Sequence, residues 1–172
     1  MAVFDVEWKE EDGPLNSRDL RHGFGAFATG VTIVTARSED GVPVGCTANS
    51  FSSVSVDPPL LLWNIAESAQ SYQAYREARH FGVNILARDQ MELAMRFATP
   101  EVDKFADGTW TDGLAGVPIL DGALAHFECS TEAIYPGGDH AIVLGRIHRF
   151  RWSDGQPLLF YRGKFPQLAT ED

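Results

Sequence analysis

The chain has 172 residues, 44% hydrophobic and 11% aromatic, with a formal net charge of −10. That apolar content fills the core of one domain, and the 14 Lys and Arg residues are scattered rather than gathered in a stripe, which excludes a nucleic-acid surface. No apolar run approaches the ~18 residues of a membrane span, and Asp5, Glu7, Glu10, Glu11 and Asp12 at the start are the opposite of a signal peptide, so the expected place is the cytoplasm, with no membrane partner.

In chain order, residues 1–15 read as an acidic tail and residues 16–172 as one domain without repeat or linker. Asn16 or Ser17 suits the N-cap of a helix running to about Ala28, with Leu20, Phe24 and Phe27 on one apolar face. The β-branched residues 31–36 predict a strand, and Glu39-Asp40-Gly41 a turn into a second strand over 42–48, together a hairpin. Strands follow over 52–56 and 60–65, with Pro58 and Pro59 ending the pairing between them because proline cannot donate to a ladder. Tyr72 and Tyr75 mark a helix over 69–79, followed by a strand over 81–86 and a helix over 90–98. Residues 100–118, rich in Asp, Gly and Thr, predict a long loop with Phe105 and Trp110 in it. Residues 123–135 and 140–152 read as two long strands joined by Pro136-Gly137-Gly138-Asp139, and 157–162 as a last strand. About seven strands with short connections predict a mainly antiparallel β-barrel with helical additions.

Several chemistries are excluded by what the residues lack. Cys46 and Cys129 form no C-x-x-C pair and read as free thiols, and His22, His80, His126, His140 and His148 build no H-E-x-x-H motif, so no metal is expected. Gly23-Phe24-Gly25-Ala26-Phe27-Ala28 fits the dinucleotide fingerprint G-x-G-x-x-A, but it closes a helix and precedes a strand, the reverse of what pyrophosphate binding needs. There is no P-loop and no nucleophile elbow.

What remains is the run GCTANSFSSVSVDPPL over residues 45–60, where compact Thr, Asn and Ser side chains lead into a period-two strand. Such an edge either offers hydrogen bonds to a flat ligand or is a polar loop entering a strand. His140 likewise either faces a ligand or merely begins a strand after a turn, and Trp63 packs in the barrel or at an interface between copies.

Five ordered blocks carry a resemblance: FATGVTIVT from Phe27, the run over 45–60, FGVNIL from Phe81, Gly138-Asp139-His140 with Gly145-Arg146, and PLLFYRG from Pro157. Together they are similar to the short-chain flavin reductases, the reductase partners of two-component flavin-dependent monooxygenases. The resemblance implies an antiparallel split β-barrel that forms a homodimer, binds FMN or FAD, takes a hydride from NADH or NADPH, and hands reduced flavin to a separate oxygenase. It implies that Cys46, Thr47, Ala48, Asn49 and Ser50 cradle the isoalloxazine and ribityl chain, with Ser53 a further polar contact. Phe81, Gly82 and Asn84 would line the flavin from the other side, Ser68 and Ser71 would hold its phosphate, and Tyr161 and Arg162 would touch flavin or pyridine nucleotide. His140 would be the catalytic residue that positions the nicotinamide. Glu67 departs from this pattern, since a carboxylate beside a phosphate is repelled. A flavoprotein reducing a corrin, a ferric chelate or a quinone, and a non-enzymatic flavin barrel, are the alternatives.

Overall fold

The computed structural model describes residues 15–100, 102–106 and 108–169; the acidic tail expected over residues 1–15 lies outside them except for Leu15. Asn16 caps the first helix, α1 (Ser17–Phe24), by accepting from the N–H groups of Arg18 at 2.9 Å and Asp19 at 3.2 Å. The helix stops four residues before Ala28, and its apolar face is not buried: Phe24 is 73% and Phe27 79% exposed.

Strands β1 (Thr29–Gly30), β2 (Thr32–Arg37), β3 (Pro43–Ala48), β4 (Ser52–Val56) and β5 (Pro59–Ala66) follow. Pro59 does not lie outside the ladder as expected: it opens β5 and stands opposite Val56, a first-strand position where proline's missing N–H leaves no gap. Helix α2 (Tyr72–Glu77) is shorter than the predicted 69–79, because residues 69–72 fold into tight turns and Ala78 is already extended. After β6 (His80–Ile85) and α3 (Met91–Ala98), the supposed loop over 100–118 contains a strand, β7 (Trp110–Asp112), paired with β8 (Pro118–Leu120). Buried Val117, Ile119 and Leu120 draw this hairpin onto the barrel, and left-handed Ala115 and Gly116 reverse the chain between its strands. The long strands β9 (Ala125–Gly137) and β10 (His140–Trp152) match expectation, and β11 (Leu159–Phe160) pairs with β1.

The main sheet has seven strands in the order β3-β2-β6-β9-β10-β5-β4, all pairs antiparallel. Trp63 on β5 has no exposure and lies edge-on to Tyr75 at 4.8 Å between centroids, which places it in the barrel core. A second cluster packs α3 against β2 through Ile33, Leu86, Ala94, Phe97 and Leu120. Phe81, Gly82 and Asn84 belong to these interiors rather than to a ligand wall. Phe81 and Gly82 are buried, and Asn84, with no exposure, donates to Ile33 O at 2.9 Å and accepts from Leu120 N–H at 2.9 Å. That amide serves the core, where a buried polar group must find partners.

Among the described residues no helix is long and apolar enough to cross a membrane.

Candidate functional site

A cleft of ≈ 1130 Å³ opens along the outer edge of β3. Residues from distant parts of the chain meet in its wall. β3 and the segment after it supply Cys46, Thr47, Ala48, Asn49 and Ser50; the turn between β5 and α2 supplies Ser68 and Ser71; the start of β10 supplies His140. Eight of the residues expected to touch the ligand are thus brought together.

β3 is an end strand of the sheet, so half of its backbone groups have no strand to bond. Pairing parity decides which. Leu86 N–H donates to Val31 O, so the odd-numbered groups of β2 face β6 and its even-numbered groups face β3. Cys46 and Ala48 therefore bond inward, while the N–H and C=O of Gly45 and Thr47 point off the edge into the cleft. Thr47 Oγ1 donates to Ala94 O at 2.5 Å and ties the strand to α3, and Ser50 Oγ bridges to β5 by donating to Asn64 O at 3.1 Å and accepting from Asn64 N–H at 2.9 Å. These bonds fix the shape of the edge before any ligand arrives.

The Cys46 thiol turns inward. Burial pushes it up to about 11, against the pull of a hydrogen bond with Tyr75 and the charge of Lys104, so it is protonated at neutral pH. His140 pairs with Ala66 on β5, and its Nδ1–H donates to Asp139 Oδ1 at 2.7 Å, since an ionised carboxylate can only accept. That bond orients the ring of His140, a residue of the cleft wall, and does not engage Nε2, while the ring holds the Asp139 carboxyl below its usual range. Glu67 is not in the wall: Tyr72 donates to it at 3.3 Å, and its backbone N–H donates to Asp139 O at 3.0 Å.

Three expected residues lie elsewhere. Ser53 is exposed on β4, outside the cleft wall. Tyr161 and Arg162 follow β11, where Arg162 N–H donates to Gly25 O at 3.1 Å and its guanidinium stacks on the Tyr161 ring at 5.3 Å. They meet the end of α1, and it is Phe24 of that helix that reaches the cleft.

Residues that pattern reading passed over complete the wall: Asn64, Gln70, Phe97, Lys104 and Ile142; of the two aromatics of the 100–118 segment, Phe105 lines it and Trp110 does not. Gly45 makes room for them, because a Cβ there would lie 2.7 Å from Phe97 Cδ1. Asn64 Oδ1 is shielded from solvent with no protein partner, an orphaned polar atom beside the cleft. A planar heterocycle with a polyol tail fits this wall: edge amides for the ring, hydroxyls and an unsatisfied amide for the tail, and a volume just above the usual range of small-molecule sites.

Comparison with known proteins agrees with that chemistry. Residues 24–169 match the family model described as flavin reductase like domain, and the chain belongs to that family. It is 45% identical over 159 residues to the FMN reductase (NADH) SmoA of Agrobacterium fabrum, covering 92% of this chain and 90% of that protein. It is 43% identical to the reductase component of the flavin-dependent trigonelline monooxygenase of Acinetobacter baylyi, of whose length it spans only 53%. Among solved structures, the Streptomyces globisporus NADH:FAD oxidoreductase SgcE6, determined with NAD and FAD fragments, superposes with a TM-score of 0.83 at 40% identity over 89% of this chain and 93% of that one. The fold is an antiparallel split barrel of the flavin reductase kind.

Proposed function

We propose that this protein is an NADH:flavin oxidoreductase that reduces FMN or FAD and releases it to a separate oxygenase. The observation that carries the reading is the convergence, in one cleft, of the β3 edge, the Ser68–Ser71 turn and His140. Bound flavin supplies the acceptor atom, N5, for a hydride from nicotinamide C4. The chain's own task is to bind and orient, so a site without nucleophile or general base is what the reaction asks for.

Thr47 presents N–H and C=O to the ring edge, Asn49 and Ser50 meet the tail, and Ser68 and Ser71 offer hydroxyls to the phosphate. His140, its ring fixed by Asp139, turns Nε2 to the open side, where it hydrogen-bonds the incoming nicotinamide. FMN and FAD are both kept as substrates, since one relative is named FMN reductase (NADH) and a solved relative NADH:FAD oxidoreductase. Lys104 is the only Lys or Arg in the described wall, which leaves no cluster for a 2′-phosphate and favours NADH over NADPH. Relatives described as reductase components of monooxygenases support the separate oxygenase. Phe24, Phe27 and Trp152, each at least 70% exposed, support a homodimer that covers them. The cytoplasm is the compartment consistent with these partners.

The test is NADH oxidation with and without added FMN or FAD. Turnover proportional to free flavin is expected; no turnover under either condition overturns the enzyme reading. Turnover by the purified protein that gains nothing from free flavin overturns the diffusing-flavin reading and favours a bound flavin acting on another acceptor.

A further inference from the structure

Phe97, Lys104 and Phe105 close the Gly45 end of the cleft. Lys104 Nζ donates to Gly45 O at 3.1 Å and to Phe97 O at 3.0 Å, strapping the segment after α3 to the free edge of β3. Both partners are neutral carbonyls. Among the described residues Lys104 enters no ion pair, and Asp103 beside it spends Oδ1 on the Phe105 N–H at 3.2 Å.

An ammonium half-buried against neutral carbonyls, as this one is among the described residues, is costly unless something else compensates it. Its field reaches the cradle, since it draws the Cys46 thiol down against burial. Its anchor, Gly45 O, belongs to the same outward-facing row as Thr47, roughly 7 Å along the strand. Asn49 and Ser50, which meet the tail, follow Thr47 along the chain, whereas Gly45 precedes it, so the ammonium stands at the ring end of the row.

We propose that Lys104 is the residue by which the cleft distinguishes reduced from oxidised flavin, as a fixed cation facing the ring end of the cradle. The inference rests on the flavin reading above. The reaction balances as NADH plus neutral oxidised flavin giving NAD⁺ plus anionic reduced flavin: the hydride carries two electrons and one proton, the C4–H bond of the dihydronicotinamide breaks, an N5–H bond forms, and the ring gains one negative charge. A fixed positive charge near the ring therefore favours the product over the reactant, whereas a charge that reads only the phosphate favours both equally.

The experiment compares wild type with Lys104→Gln, Lys104→Met and Lys104→Arg. Affinity for oxidised FMN is measured by fluorescence quenching, and the midpoint potential of bound flavin by anaerobic dye-coupled titration. The same pair of measurements is made with lumiflavin, which keeps the ring and lacks the ribityl phosphate. Both neutral variants are expected to lower the preference for reduced over oxidised flavin about tenfold, which for two electrons is a potential about 30 mV more negative. Lys104→Arg should retain it, and lumiflavin should show the same change. Thermal unfolding of each variant identifies one that does not fold, and the other neutral variant then carries the comparison. A preference unchanged in a folded neutral variant overturns the inference and leaves Lys104 as a backbone strap. A loss confined to FMN and equal in both redox states overturns it in favour of a phosphate contact. Wild-type protein that binds neither FMN nor lumiflavin in either redox state overturns the flavin reading itself, a result distinct from the other two.

Discussion

Gly45→Ala tests whether the cleft floor is as tightly built as it looks. The new Cβ would stand 2.7 Å from Phe97 Cδ1 and 3.4 Å from Phe105 Cζ. Phe97 cannot easily swing aside, because it is 1% exposed and lies against Phe105 at 5.2 Å and Trp110 at 5.4 Å between ring centroids. Overpacking of this kind costs ~1–3 kcal/mol, and at ~2–4 °C per kcal/mol for a chain of this size the melting temperature should fall by roughly 2–12 °C. The damage extends to binding. Phe97, Phe105 and Lys104 all line the cleft, and the Lys104 strap ends on the displaced residue's own carbonyl. If about half of the upper cost, roughly 1.4 kcal/mol, falls on the binding-competent conformation, FMN affinity drops about tenfold. Thermal unfolding by circular dichroism and FMN titration by fluorescence quenching measure the two effects. The double variant Gly45→Ala/Phe97→Leu, which shortens the opposing ring to a branched chain, should be less destabilised than the sum of the two single changes. An alanine variant with wild-type melting and wild-type FMN affinity would refute the reasoning, since the ring would then have had room to move.

Four further outcomes are expected. His140→Ala should lower kcat for NADH oxidation about 10²-fold while leaving FMN affinity within a few-fold, with Asp139→Asn intermediate because only the orientation of the ring is lost; steady-state kinetics separates kcat from KM. Asn84→Leu should cost about 1–3 kcal/mol in urea unfolding, because Leu120 N–H loses its partner while Ile33 O keeps the backbone N–H of residue 84 in the β2–β6 ladder, and should leave the FMN affinity of the folded protein unchanged. Burial holds the His126 imidazole below its ordinary value, with Nε2 on the Leu120 carbonyl and Nδ1 accepting from Arg151 at 3.3 Å. The unfolded chain therefore takes up the proton first, so stability is full above about pH 6.5 and falls as the pH drops through that value towards the depressed folded one; His126→Gln should flatten this part of a melting-temperature profile. The Cys46 thiol, pushed up to about 11 by burial, should react slowly with iodoacetamide at pH 8, and Cys46→Ser should keep turnover within a few-fold, as followed by mass spectrometry and NADH oxidation.

Local pattern carried far in this chain. The β-branched run after Val31, the alternation in residues 52–56 and the Pro-Gly-Gly-Asp turn specify strands and a hairpin through steric preferences that act over a few residues, and these elements stand where expected. The ligand edge was legible for the same reason, since small polar residues ahead of a strand are a local signal; the family resemblance extended it to His140 and the serine turn, and all of them line the cleft.

Local pattern could not say which face of a strand looks inward. Residues 81–84 resemble a ligand wall, yet β6 lies between β2 and β9 in the middle of the sheet, so its side chains fill the interior and Asn84 spends its amide there. Nor could it find Lys104 or Asn64, because an ordinary lysine in an Asp- and Gly-rich segment and an asparagine in an apolar strand carry no pattern of their own. Their significance comes from contacts across long stretches of chain: the lysine meets the carbonyl of Gly45, and the asparagine meets the hydroxyl of Ser50. The strands and turns follow from the sequence alone through short-range sterics, while the chemical kind of the site was legible only through the resemblance of five ordered blocks to a known family. The tertiary structure alone decided which groups face the cleft, because that depends on strand parity, on which strand ends the sheet, and on what packs against its free edge.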